Sequence, residues 1–133
     1  MNLDPMVWII DDDDISKYVM KRYLNQLSIT NVIDFPDSVQ PLKLIQDNYS
    51  SVDKLPDIIF LDLHMPILNG FDFIEDYKIL ADKIGKKINI VMLTSSINTE
   101  DVEHAKSYTE ITDYFIKPIK YKDLARIMKV ELK

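Results

Sequence analysis

The sequence predicts an α/β fold built on a five-stranded parallel sheet with helices on both faces. Three observations carry this expectation. Five short apolar runs alternate with five stretches of helical periodicity along the 133 residues, the pattern of parallel strands joined by crossover helices. The central run, Ile58 to Leu61, is apolar at every position, as suits a strand buried on both faces. Four of the runs end, on their C-terminal side, in polar or reactive groups: Asp11/Asp12, Asp62, Thr94 and Lys117. In a parallel sheet such ends share one edge, where open α/β sheets place their ligands.

The elements follow in order. Met6 to Ile10 forms the first strand and stops on Asp11-Asp12-Asp13-Asp14. Ile15, Tyr18, Val19, Tyr23, Leu24 and Leu27 then recur at helical spacing, with Asp14 as the expected N-cap. Val32 to Phe35 is a second strand, broken by Pro36, and Asp37 or Ser38 opens a helix carrying Val39, Leu42, Ile45 and Tyr49 on one face. A polar connector, Ser50 to Pro56, leads into the central strand, which ends on Asp62 and passes at once into the turn residues Pro66, Asn69 and Gly70. Phe71, Ile74, Tyr77, Ala81 and Ile84 mark a third helix, with Gly85 suited to its C′ position. Ile88 to Leu93 is the fourth strand, and Asn98 or Thr99 caps a helix running to about Tyr108. Tyr114 to Ile116 is the fifth strand, and the last helix carries Leu124, Ile127 and Met128.

Composition bounds the function. With no cysteine there is no disulfide framework, thiolate metal site or cysteine nucleophile. No apolar run approaches the roughly 20 residues that span a bilayer, and Met1 to Pro5 lacks the features of a signal peptide, so a cytoplasmic protein is expected. The net charge of −6 disfavours nonspecific binding to nucleic acid or anionic membrane. The sign is uneven: from Lys117 onward six basic residues (Lys117, Lys120, Lys122, Arg126, Lys129, Lys133) face two acidic ones (Asp123, Glu131). That basic end is either a solvated face or a surface for a partner.

Taken alone, Asp62 could simply end a strand or cap the next helix. If the first and third strands are neighbours, however, Asp11, Asp12 and Asp62 converge, and carboxylates packed together require a cation or a proton. An all-oxygen donor set suits Mg²⁺ better than zinc or copper. One carboxylate can then act as a nucleophile towards phosphorus, while a hydroxyl and an ammonium, roles open to Thr94 and Lys117, hold phosphoryl oxygens.

Four segments in sequence, Ile-Ile-Asp11-Asp12, Leu61-Asp62-Leu-His-Met-Pro66 with Gly70, Met-Leu-Thr94-Ser95 and Tyr114-Phe-Ile-Lys117-Pro118, together resemble a response-regulator receiver domain, the phosphoacceptor module of two-component signalling, over roughly Val7 to Met128. The resemblance implies a flavodoxin-like (βα)5 three-layer sandwich with strand order 2-1-3-4-5. It implies Asp62 as phosphoacceptor, Asp12 as a direct Mg²⁺ ligand, Asp11 acting largely through water, and the backbone carbonyl of His64 as a further ligand. Thr94 would hydrogen-bond the phosphoryl group, Lys117 would pair with it, the Lys117–Pro118 peptide would be cis, and Tyr114 would be the switch aromatic. His64 and Ser96 occupy positions that tune dephosphorylation, and Asp13 receives no ligand role. One departure is Tyr108 to Asp113, which lacks the small residues usual before the fifth strand.

The expectation is thus a single receiver domain over residues 1–133, without an output domain and not an enzyme beyond its own phosphoryl acceptance and slow autodephosphorylation. Its partners would be a histidine kinase or histidine phosphotransfer protein and a separate effector, met through helix 4, strand 5 and helix 5. Direct nucleic-acid contact and membrane insertion are not expected. Two alternatives stand beside this reading. One is a receiver-like binding module that works without phosphate. The other is an aspartate-nucleophile phosphatase, which needs a second aspartate two residues on, where this chain has His64. The two glycines, Gly70 and Gly85, make no phosphate-binding loop, and Asp11 to Arg22 is no EF-hand, with Ser16 and Arg22 at its sixth and twelfth positions.

Overall fold

The computed structural model describes residues 4–66, 68–95 and 98–130. Five strands, β1 (Val7–Ile10), β2 (Val32–Phe35), β3 (Ile58–Asp62), β4 (Asn89–Thr94) and β5 (Ile111–Ile116), alternate with helices α1 (Asp14–Gln26), α2 (Val39–Asn48), α3 (Gly70–Ala81), α4 (Thr99–Lys106) and α5 (Tyr121–Ile127). The strands are all parallel, in the order β2-β1-β3-β4-β5. This is the flavodoxin-like doubly wound arrangement. No helix among the described residues is long and apolar enough to cross a membrane.

Strand alternation divides the core in two. Trp8 and Ile10 of β1, Ile59 and Leu61 of β3, and Ile90 and Met92 of β4 join Ile45 of α2 and Phe73, Ile74 and Tyr77 of α3. Val7 and Ile9, Ile58 and Phe60, and Val91 and Leu93 point the other way, against Met20 and Leu24 of α1 and Leu124 of α5. Strands β1, β3 and β4 are therefore buried on both faces, while the edge strands β2 and β5 are only partly covered. The register sets Ile10 beside Leu61, Asp62 beside Leu93 and Thr94 beside Ile116, so the strand ends finish level. Between β4 and β5 the register shifts at Ile90/Val91, and Thr112 turns its hydroxyl onto the Ile90 carbonyl at 2.9 Å. That irregularity falls in the stretch that lacks small residues. It adds three residues to the expected fifth strand, which begins at Ile111.

Several local expectations need correction. The N-cap of α1 is Asp13 and not Asp14: its side chain accepts from the Ile15 N–H, and Asp14 sits in the first turn facing Lys17 at 3.4 Å. The buried stripe of α1 is Lys17, Met20, Leu24 and Leu27, whereas Ile15 and Tyr18 are exposed. The lysine conceals this stripe in the sequence, because its stem packs while its ammonium reaches Asp14. On α2, Pro41 and Ile45 are buried, and Val39 and Tyr49 are exposed. Asp37 supplies the bond to the Val39 N–H, and Ser38 occupies the cap position without a side-chain cap bond. Helix α3 stops at Ala81, four residues before Gly85, which does not take up the left-handed C′ conformation. Helix α4 likewise ends at Lys106, and the connector before β3 carries a 3-10 turn at Val52–Lys54. Ser96 lies outside the described residues, as do Lys133 and Glu131 of the basic end.

Candidate functional site

The site is built from the C-terminal ends of β1, β3, β4 and β5. Asp11 and Asp62 are 3 % and 5 % exposed and Thr94 is fully buried, while Asp12 stands in solvent. Carboxylate oxygens of Asp11, Asp12 and Asp62 all lie within 4.8 Å of one another. The adjacency of β1 and β3 produces this convergence, since Ile10 and Leu61 pair immediately before the acids.

Lys117 arrives from β5. Its backbone N–H donates to the Thr94 carbonyl at 2.7 Å, extending the β4–β5 ladder by one bond, and the Lys117–Pro118 peptide is cis. Its Nζ lies 2.7 Å from Asp11 Oδ2 and 3.3 Å from Asp62 Oδ1. One ammonium thus bridges two buried carboxylates. Burial, then the charge of Asp11, pushes Asp62 up to about 7, with Lys117 acting against both. For Lys117 burial works downward, but the bond to Asp11 and the charges of Asp11 and Asp62 prevail and hold it above its ordinary value.

The backbone between Asp62 and α3 is fixed by close approach. The Gly70 N–H donates to the Leu63 carbonyl at 2.8 Å, and a Cβ at residue 70 would meet Asp62 O and Leu63 Cα at 3.0 Å and Met92 Cε at 3.1 Å. Asn69 and Asp72 form a reciprocal capping box that starts α3 there. His64, two residues past Asp62, is exposed, with Nε2 3.5 Å from Asp101 Oδ2 of α4. Tyr114 turns inward and packs against the α2–α3 side of the core. Its hydroxyl is enclosed and has no hydrogen-bond partner among the described residues. Burial and the Asp101 charge push that hydroxyl up, and the neighbouring Thr94 side chain acts oppositely.

The structure brings Asp11, Asp12, Asp62 and Lys117 together directly and places Thr94, Tyr114 and His64 around them. Sequence reasoning missed Asp13, whose backbone N–H donates to Asp11 Oδ1 at 2.9 Å. The signal was present as an Asp–x–x–Ser start, because Ser16 Oγ donates to Asp13 Oδ2 at 2.9 Å. It also missed the surroundings of His104, an exposed residue whose ring stacks on Phe71 at 3.9 Å and whose Nε2 lies 3.2 Å from the Tyr108 hydroxyl. Beside the acids is a mainly apolar pocket of about 130 Å³ between α1 and the Pro118–Ile119 turn, floored by Ile9, Phe60 and Leu93. Three carboxylates with no nitrogen or sulfur donor fit a hard divalent cation.

Comparison with known proteins agrees with this architecture. Residues 7–129 match the family described as the response regulator receiver domain. The probable methanogenesis regulatory protein FilR2 of Methanothrix harundinacea is 25 % identical over 128 residues, 95 % of this chain and 81 % of that protein. The sensor histidine kinase CheAY of Helicobacter pylori is 25 % identical over 130 residues, but there the chain spans only 15 % of the relative's length. Among solved structures, a two-component response regulator from Cytophaga hutchinsonii superposes with a TM-score of 0.83 at 22 % identity, covering 95 % of this chain and 96 % of the other. The receiver domain of the sensor histidine kinase PA1611 from Pseudomonas aeruginosa, with a magnesium ion coordinated in its active-site cleft, gives 0.75 at 22 % identity and 95 % of both chains.

Proposed function

The chain belongs to the response regulator receiver family, and from that premise we propose that it accepts a phosphoryl group on Asp62 from a phosphohistidine of a kinase or histidine phosphotransfer protein. The observation that supports this most directly is Lys117 Nζ at 2.7 Å and 3.3 Å from two buried aspartates that, with Asp12, could hold a divalent ion. An oxygen of Asp62 attacks phosphorus as the phosphorus–nitrogen bond to the donor breaks, giving an aspartyl phosphate. Lys117 is within reach of the new phosphoryl oxygens, and Thr94 at the end of β4 supplies a hydroxyl. Asp11, Asp12, Asp62 and the His64 carbonyl are the proposed holders of Mg²⁺, which would supply charge neutralisation when bound.

The signal then passes through Thr94 to Tyr114. Drawing the Thr94 hydroxyl to the phosphoryl group vacates space that the inward ring of Tyr114 fills, and a two-state equilibrium shifts on the surface of α4, β5 and α5. The partner met there is a separate effector, and Lys120, Lys122 and Arg126 are its nearest basic contacts.

Intact mass after incubation with Mg²⁺ and a small-molecule phosphodonor tests the proposal. Wild type should gain one phosphoryl group and Asp62→Asn none. Equal uptake by both proteins would refute the assignment of Asp62.

A further inference from the structure

Four consecutive aspartates follow β1, and the structure gives them four different situations. Asp11 is buried against Lys117, and Asp14 faces Lys17 from the first turn of α1. Asp12 is exposed, and among the described residues no hydrogen bond or ion pair holds its carboxylate. Asp13 is turned onto the start of α1, where Oδ1 accepts from the Ile15 N–H at 3.0 Å and Oδ2 from Ser16 Oγ at 2.9 Å.

We infer that Asp13 is a positioning residue for the divalent-cation site: by capping α1 it holds the peptide that orients Asp11 and Asp12. The inference rests on the receiver reading above. Both oxygens of Asp11 are engaged, Oδ1 by the Asp13 N–H at 2.9 Å and Oδ2 by Lys117 at 2.7 Å, so the carboxylate has one orientation. The first of these bonds exists only while Asp13 keeps its extended backbone, φ −93° and ψ 112°, and the two side-chain bonds to α1 maintain that conformation. Asp12 lies between these anchors. With no side-chain restraint of its own, it is aimed by the backbone on either side. Groups that orient a metal's ligands without touching the metal typically govern its affinity by tenfold or more.

The competing explanation is charge, because a fourth carboxylate near the cluster would draw in a cation wherever its own bonds went. The conservative variants separate the two. Asn and Ser keep a capping oxygen and lose the charge, while Ala loses both. Mg²⁺ affinity measured calorimetrically should fall about tenfold in Asp13→Ala and stay within about threefold of wild type in Asp13→Asn and Asp13→Ser. A second readout needs no metal: the amide of residue 13 should exchange with solvent slowly in wild type and in Asp13→Asn, and fast in Asp13→Ala. Wild-type affinity in Asp13→Ala would overturn the role, and so would an equal loss in Asp13→Asn and Asp13→Ala, which would assign the effect to charge. Absence of Mg²⁺ binding by the wild type would overturn the receiver reading itself and this inference with it. Slow exchange of the residue 13 amide in that case would still identify the cap as intact.

Discussion

The proposed role of Asp62 as phosphoacceptor requires an ionised carboxylate, and its surroundings oppose ionisation. Burial and Asp11 raise it to about 7. A raised carboxylate keeps its proton in the folded state where the unfolded chain has released it. Stability therefore falls as pH climbs from about 4 through about 7, and the penalty is complete above that window. Asp62→Asn removes it. In metal-free buffer at pH 8 the variant should be the more stable protein, by on the order of 4 kcal/mol at most, at about 1.4 kcal/mol per pKa unit, and the gap should close towards pH 4. Thermal unfolding at the two pH values checks this, and coincident melts at pH 8 would exclude it. Gly70 makes a second case at this scale. Its missing Cβ leaves room for Asp62 O and Leu63 Cα at 3.0 Å, both backbone atoms with little freedom to yield. Gly70→Ala should cost about 1–3 kcal/mol in urea unfolding, the usual range for overpacking, with a loss of phosphoryl uptake at temperatures where it remains folded. The sequence displays the glycine but not the carbonyl it faces.

Helices were legible as elements and less so as faces and ends, for reasons visible in α1. Its buried stripe contains Lys17, while Ile15 and Tyr18 lie outside the stripe. A reading based on apolar spacing follows the wrong pair. The ends are concealed differently. Helices α1 and α5 both finish in Schellman motifs whose left-handed residues are Ser28 (φ 63°) and Lys129 (φ 58°), not glycine. In the first, Ile29 N–H bonds Leu24 O at 2.9 Å and Ser28 N–H bonds Asn25 O at 3.0 Å. A left-handed L-residue is strained by about 1–2 kcal/mol, and glycine's extra unfolded-state entropy offsets about 0.5–1 kcal/mol of the relief. Ser28→Gly should therefore stabilise the fold by about 0.5–1 kcal/mol, read as a raised urea midpoint at unchanged slope. Helix α4 is the most thinly packed, with Ala105 its one buried residue. The Phe71–His104 stack and the Tyr108 hydroxyl, which donates to Glu75 and so takes its second bond from a hydrogen on His104 Nε2, fasten it to α3. His104→Ala should speed amide exchange across α4 by roughly fivefold, as expected for losing an aromatic pair worth about 1 kcal/mol; protection equal to wild type would remove the clasp.

At the scale of the whole molecule, the site was legible because parallel topology is a strong constraint. Once five strands run the same way, Asp11, Asp62, Thr94 and Lys117 must finish on one edge, and the order β2-β1-β3-β4-β5 sets the acids of β1 and β3 side by side. Sequence does not supply the lateral reach of side chains across that edge. Lys117 and Asp11 are 106 residues apart, and their contact at 2.7 Å closes the edge from β5 to β1 over Asp62. The ammonium is the compensating charge inside a cluster of carboxylates, which makes it a competitor of any cation that binds there. Lys117→Ala leaves Asp11 and Asp62 buried and repelling, so in chelator the variant should be less stable than wild type by about 2–4 kcal/mol, as for one partner removed from a largely buried pair. Mg²⁺ replaces the missing charge and should restore most of the loss. A ligand that stabilises the variant more than the wild type binds the variant more tightly, so the Mg²⁺ dissociation constant should fall. Melting curves with and without Mg²⁺ decide between two roles for Lys117. A deficit that shrinks in Mg²⁺ identifies the ammonium as the cluster's counter-charge, whereas an equal deficit in both would make its stem a packing element and leave the signal to be carried by Thr94.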